Sequence, residues 1–392
     1  VNEDGEGGGR PIDGSARVRH LYLHIPFCRA RCAYCDFAST SLPLPEASGL
    51  AERYVEALKG ECEARLPWGE RGLETVYVGG GTPTHLPLPL LVRVLEQVAI
   101  RLQPGGEFTV EANPGTIDAA VLEAMSGVGV NRVSLGVQSF DPRLRSNLGR
   151  SVEQAEIDHA MGNLRQTGFE NWNLDVVFGI PGARAVDIRR DLERAVEACP
   201  AHISLYDLTY TSAYTAYLAA KLGSKAAERA ARRASRRAAR LYEGAVTFLE
   251  ERGYRRYEIS NFSRPGRECR HNLAYWRGED YLGVGAGAVS TIGLRRFRNP
   301  VGVEAYVAGG EAECEPLSRR IRLVEKAMLG LRTTMGVREE EVREVLDPAG
   351  LSAMLAAGVV ERRYGTLVLD RRGMNVSNSV LTALLRVEEE SS

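Results

Sequence analysis

Six short runs rich in β-branched and aromatic residues alternate with stretches of helical period through the first half of the chain. No other feature restricts the fold as much. The runs lie near Leu21–Phe27, Thr75–Gly80, Phe108–Asn113, Arg132–Ser139, Trp172–Ile180 and His202–Tyr210. Between them fall helical stretches near Ala47–Arg65, Leu88–Leu102, Ile117–Gly127, Glu153–Thr167 and Val186–Ala198. A strand followed by a helix, repeated, predicts a parallel sheet with helices packed against it. Most of the runs read as apolar with little alternation, the pattern of strands covered on both faces. Six units are too few for the closed eight-stranded barrel. The predicted fold is α/β: a partial, open (β/α)6 barrel.

The remaining chain divides by composition. Positions 1–17 are polar and Gly-rich and read as a disordered leader, without the basic and apolar regions of a secretory signal. The barrel core is expected over 18–255. Lys221–Arg252 reads as one long Ala/Arg helix. Lys221, Lys225, Arg229, Arg232, Arg233, Arg236 and Arg240 stand three or four apart, so they form a basic stripe. That stripe reads first as a solvated helix face; a nucleic-acid surface would want interleaved aromatics, and none are there. A barrel extension and linker is expected over 256–315, with glycines crowded at 281–288 and little apolar pattern from Gly302 to Glu315. Helices near Ile321–Leu331, Arg338–Val345 and Leu351–Ala357, a hairpin of Val359–Glu361 and Leu367–Leu369, and a last helix over Val376–Leu385 predict a winged-helix-like domain over 316–392. Net charge is -1, which points to neither nucleic acid nor an anionic membrane. No apolar run nears the roughly 20 residues of a membrane span. Peripheral association with a membrane stays open.

Three of the seven cysteines, Cys28, Cys32 and Cys35, stand in one loop directly after the first run. Without an export signal they read as free or metal-bound thiols in a reducing, cytoplasmic compartment. Three soft thiolates turned to one centre suit an iron–sulfur cluster. On a four-iron cube they leave one iron open to a small chelator. Zinc is the rival, but a structural zinc takes four ligands. His24 would be the fourth, and it lies in the strand rather than the loop. Cys62, Cys199, Cys269 and Cys314 are scattered and read as buried small hydrophobes.

Polar motifs sit at the ends of the next strands: Gly79-Gly80-Gly81-Thr82-Pro83-Thr84, Glu111, Gln138, Arg150 and, within the fifth strand, Asp175. Functional groups of α/β barrels collect at the carboxyl ends of strands. Carboxylates suit ribose hydroxyls, and an arginine suits a carboxylate.

The cysteine loop, read with these motifs, resembles the cluster loop of the radical S-adenosylmethionine (SAM) superfamily. From Val18 to Leu385 the chain is similar to the subgroup of oxygen-independent coproporphyrinogen III dehydrogenases and haem chaperones. Gly-Gly-Gly-Thr-Pro-Thr, Gly-Val-Gln-Ser-Phe and the tail Asn378-Ser379-Val380-Leu381 carry the likeness. The resemblance implies a [4Fe-4S] cluster on Cys28, Cys32 and Cys35. It implies SAM at Tyr22, Tyr34, Gly80, Gly81, Thr82, Glu111, Gln138, Arg150 and Asp175, as one molecule or two. The dehydrogenases carry a fourth cysteine where this chain has Phe37. The chaperones carry His-Asn-x-x-Tyr-Trp, here His271 to Trp276, which makes His271, Tyr275 and Trp276 the haem candidates. Apart from the family, His271 also reads as a surface histidine.

Val152, Thr211 and Val289 depart from the subgroup's usual His, Glu and His, on the side expected to face the tetrapyrrole. The resemblance therefore implies a haem chaperone with an electron donor and haem-accepting partners. The rival is radical oxidative decarboxylation of coproporphyrinogen III. A remoter alternative is a radical SAM protein acting on RNA.

Overall fold

The computed structural model describes residues 18–43, 48–66 and 72–386. The expected leader at 1–17 lies outside them, as do the start of the first helix at Ala47 and the last residues of the tail. All six predicted strands are present. They are β1 (His20–Ile25), β2 (Leu73–Gly80), β3 (Leu102–Ala112), β4 (Arg132–Gln138), β5 (Trp172–Phe178) and β6 (His202–Asp207). Each pairs in parallel with the next. Three short strands extend the sheet to nine. β9 (Leu282–Val284) adds in parallel beside β1. β8 (Asn261–Ser263) and β7 (Arg255–Arg256) add antiparallel beyond β6. The two edges do not pair, so the barrel is open, as expected from the count of units.

Contrary to expectation, the strands do alternate. Leu21, Leu23 and Ile25 join the main apolar core with Val76, Val78, Phe108, Val110, Val133 and Leu135. The residues between them, His20, Tyr22, His24, Thr75, Tyr77, Glu107, Thr109, Glu111, Arg132 and Ser134, line the other face. That face curls into a polar lumen. Both faces are shielded from water, one by helices and one by the curl of the sheet, so burial alone hides the period of two.

Helices α1 (Ser48–Arg65), α2 (Leu88–Ala99), α3 (Ala119–Gly127), α4 (Pro142–Asn147), α5 (Gln154–Gln166) and α6 (Ala185–Glu197) connect the strands. The predicted second helix ends early, because the strand after it begins at Leu102. The long basic helix is two helices, α7 (Ser212–Leu222) and α8 (Ser224–Glu250), broken at Gly223, whose φ is +85°. The expected linker is also structured. α10 (Val303–Val307) follows α9 (Arg270–Trp276), and Glu313–Pro316 closes a three-stranded sheet against Arg295–Arg298.

The C-terminal part has its own core around Leu331, Val342, Leu351, Leu367, Val380 and Leu384. Its hairpin, Val360–Arg363 with Thr366–Leu369, gains a third strand at Val337–Arg338. Tyr364 and Gly365 turn it with φ of +50° and +80°. A short helix at Arg371–Asn375 precedes the last one, Ser377–Leu384.

Candidate cluster and SAM site

The cysteine loop leaves the carboxyl end of β1 and lies over the mouth of the lumen. Phe27–Cys28 pairs with Thr40–Ser41, which ties the loop to itself. The amide of Ala33 donates to Leu148 O at 3.1 Å, which ties it to the segment after α4. Donors surround the sulfurs. Thr82 Oγ1 donates to Cys28 Sγ at 3.5 Å, and Arg150 Nη1 donates to Cys32 Sγ at 3.4 Å. Burial pushes the Cys28 thiol up, Cys32 and Cys35 push it further, and the Thr82 bond and Arg150 oppose them. Cys28 thus lies close enough to feel both other thiols.

Among the described residues no three His, Cys, Asp or Glu side chains are gathered as a single ion would require. A four-iron cube asks for a different arrangement, with each thiolate on its own iron. The donor set, three soft sulfurs with a hydroxyl and a guanidinium turned to them, fits that group. His24 does not join it. Its Nδ1 meets Tyr22 Oη at 3.0 Å and its Nε2 meets Ala38 O at 2.9 Å.

The glycine run is shaped by close approach. A Cβ on Gly81 would stand 2.7 Å from the Pro26 carbonyl, and one on Gly80 would stand 2.4 Å from the His24 ring. The Gly80 amide donates to Glu111 Oε2 at 3.0 Å, and Tyr77 Oη donates to Glu111 Oε1 at 2.8 Å. Burial raises the Glu111 carboxyl to about 7, those two bonds lower it, and Asp175 raises it again. Asp175 is also raised by burial, while Asn173 Nδ2 donates to it at 2.7 Å.

Gln138 ends β4 at a register shift, with φ of +72°. A bulge of this kind re-aims a side chain, and positive φ on a non-glycine residue is strain of the sort found at binding sites. Arg150 bridges the loop and this bulge, because Nη2 donates to Gly136 O. Tyr22 stacks on Tyr77 with ring centroids 6.3 Å apart. Tyr34 packs against the apolar cluster that contains Leu144 and Leu148.

All nine SAM candidates therefore line the lumen wall or the loop at its mouth. A small open cleft lies there, lined by Cys32, Thr82, Asn113, Gly115, Arg150 and Val152 among others. Val152, expected toward the tetrapyrrole, thus lies beside the cluster loop. Thr211 caps α7 by accepting from Tyr214 N, and Val289 starts a strand paired with Arg298.

The haem candidates lie elsewhere. They form α9, which crosses near the amino-terminal ends of the strands. His271 is 1% exposed, so the surface-histidine reading fails. Its Nδ1 meets Thr75 Oγ1 at 2.7 Å and its Nε2 meets Tyr275 Oη at 3.0 Å. Thr75 also meets His20 Nδ1 at 2.9 Å, and His20 Nε2 meets Glu279 at 3.0 Å. Burial, then the nearby His20 and Arg132, depress the His271 imidazole to about 3, so it is neutral.

Glu107 holds the start of α9. Its carboxylate accepts from Arg270 N at 2.9 Å, His271 N at 3.0 Å and Cys269 Sγ at 3.5 Å. Tyr275 packs edge-on against Tyr281 at 4.5 Å. Cys62 and Cys269 are buried as expected, but Cys199 and Cys314 are exposed.

Sequence reasoning missed Tyr77, Asn173, Thr75, Glu107 and Arg132. The signal was present: each falls in phase with other polar residues at a period of two within its strand.

A family model described as the radical SAM superfamily matches residues 22–195. Several curated relatives carry the name Heme chaperone HemW. That of Synechocystis sp. is 38% identical over 328 residues, covering 81% of this chain and 78% of the relative. That of Bacillus subtilis is 31% identical over 385 residues, covering 94% of this chain and 99% of the relative. That of Escherichia coli is 35% identical over 349 residues, covering 84% and 89%. Among solved structures the chain is similar to coproporphyrinogen III oxidase from Escherichia coli, described as a radical SAM enzyme. The TM-score is 0.77 at 21% identity, covering 94% of this chain and 90% of that one, which shows the shared fold. With the cysteine loop at the mouth of an open parallel barrel, and relatives matched along nearly its whole length, the chain belongs to the HemW family of radical SAM proteins.

Proposed function

We propose that the protein is a cytoplasmic haem chaperone. It would carry a [4Fe-4S] cluster on Cys28, Cys32 and Cys35, bind SAM at the lumen mouth, and hand haem to acceptor haemoproteins. The similarity to relatives named as haem chaperones, over 94% of the chain in one case, carries this reading. Phe37 agrees with it: where the dehydrogenases have a fourth thiol, this chain has a phenyl ring that is 67% exposed.

The residues present divide the work. The three thiolates would hold the cluster, which when bound would supply an electron to the SAM sulfonium. Arg150 suits the methionyl carboxylate, while Glu111 and Asp175 suit ribose hydroxyls. Tyr22, Tyr34, Gly80, Gly81, Thr82 and Gln138 shape the surrounding wall. His271, Tyr275 and Trp276 are the candidate haem contacts. A haem bound through His271 Nε2 must displace the Tyr275 hydroxyl from it.

The test is an anaerobic haem titration of cluster-loaded protein, followed by absorbance, on wild type and His271→Ala. Saturable binding by wild type, with an altered Soret band in the variant, supports the chaperone and the assignment of His271. No saturable binding by wild type refutes the chaperone. Turnover of coproporphyrinogen III with SAM and reductant then tests the dehydrogenase.

A further inference from the structure

The basic stripe takes no part in the site, yet one end of it rests on α4, and the residue after α4 holds the cluster loop. Between positions 221 and 240 stand eight basic side chains and one acidic, Glu228, in a chain of net charge -1. Lys225, Arg229, Arg232, Arg233, Arg236 and Arg240 share one face of α8 by their spacing, with Arg237 at its border. All seven are exposed. Glu228 takes Arg232. Arg229, Arg233, Arg236, Arg237 and Arg240 have no carboxylate partner among the described residues. The opposite face, at Ala227, Ala245, Val246 and Leu249, is buried. The exposed row spans about 22 Å at the rise of an α-helix.

Its near end rests on α4, which in turn holds the loop. Lys221 Nζ donates to Ser146 O at 2.7 Å, Tyr217 Oη to Ser146 O at 3.1 Å, and Tyr214 Oη to Asn147 O at 3.0 Å. The next residue, Leu148, accepts from Ala33 N inside the cysteine loop. Ala227 of α8 shares an apolar cluster with Leu148, Tyr214 and Leu218, against which Ala33 and Tyr34 pack.

We propose that this face of α8 docks an acidic one-electron carrier protein that reduces the cluster. This rests on the cluster reading above. Electron transfer falls steeply with distance, so a docking surface must lie close to the loop, and the near end of this one is a single helix, α4, away from it. Free guanidinium groups select carboxylates, and a row of them steers a carrier of opposite charge. The other polyanions fit less well. Between 221 and 240 there is no aromatic residue to stack on a base. Leu222 is the only apolar side chain there larger than alanine, so no apolar face remains for lipid. The step is a bare electron transfer. The carrier's reduced flavin goes from hydroquinone to semiquinone, and the cluster goes from its oxidised to its singly reduced state.

The experiment uses a flavodoxin as the probe and two variants of the full chain. One carries Arg229→Gln, Arg233→Gln, Arg236→Gln and Arg240→Gln. The other carries glutamate at the same four positions. Binding is read from flavin fluorescence, which needs no cluster, and cluster reduction from its visible absorbance. We expect binding to weaken on the order of tenfold in the glutamine variant, further in the glutamate variant, and with added salt. Reduction by the flavodoxin slows in parallel, while reduction by dithionite keeps its wild-type rate. Carrier binding and reduction equal to wild type in the glutamine variant would overturn the proposal. So would loss of RNA or anionic-vesicle binding with carrier binding unchanged. Failure of the cluster reading shows separately, as absence of dithionite-bleached absorbance in wild type.

Discussion

Replacing His271 with glutamine should flatten the pH dependence of stability. The imidazole is buried, bonded at both nitrogens and depressed to about 3. In the unfolded chain it titrates at roughly 6.5. As pH falls below that value the unfolded state takes up a proton that the folded state refuses. The stability this group contributes is therefore full above about 6.5 and is lost progressively as pH falls toward the folded value. Each step of one in pH below that point removes roughly 1.4 kcal/mol, so the loss from pH 7 to pH 5 is about 2 kcal/mol. Glutamine does not titrate. The drop in unfolding free energy between the two pH values should thus be about 2 kcal/mol smaller in His271→Gln than in wild type. Urea unfolding of the cluster-free protein at both pH values measures it. Glu111 and Glu258, both pushed up to about 7 by burial, titrate in both proteins and cancel in the difference. Equal drops would mean that His271 meets solvent, and that haem can reach Nε2 without displacing Tyr275.

Glu107→Ala should destabilise the protein by about 3–5 kcal/mol in the same assay, because it strips two α9 amides and leaves the buried Arg132 without its nearby carboxylate. SAM affinity of the cluster-loaded protein should fall from pH 8 to pH 6 as the Glu111 carboxyl, at about 7, takes up its proton. Calorimetry should find that dependence absent in Glu111→Gln. Gly81→Ala should displace the Pro26 carbonyl and cost the protein its cluster absorbance after reconstitution, since the new Cβ would meet backbone rather than a yielding side chain. Normal cluster content in that variant would show that the loop can shift without loss.

The run His20-Leu21-Tyr22-Leu23-His24-Ile25 alternates perfectly, yet its polar members become legible as a functional face only once the sheet has curled. The register shows why. His20 lies beside Thr75, and Thr75 beside Glu107, so three residues spread over nearly 90 positions become one layer. α9 then brings His271 onto Thr75 from nearly 200 positions away. Gln138 is nameable from the sequence as a strand-end residue, but the bulge that aims it depends on the neighbouring strand. The break in the basic helix is hidden for a local reason, since Gly223 lies in a sequence otherwise strongly helix-forming.

What the sequence determined by itself is local. The order of strands and helices follows from periodicity, and the thiol donors follow from three cysteines within eight residues, a spacing that a single loop can satisfy. The tertiary structure decided the rest: the polar lumen, the Glu107 cap on α9, the engagement of both His271 nitrogens, and the seating of a basic helix beside the helix that holds the cysteine loop. Each depends on register and packing between segments far apart in the chain, and no local pattern encodes which distant residue will satisfy a buried polar group.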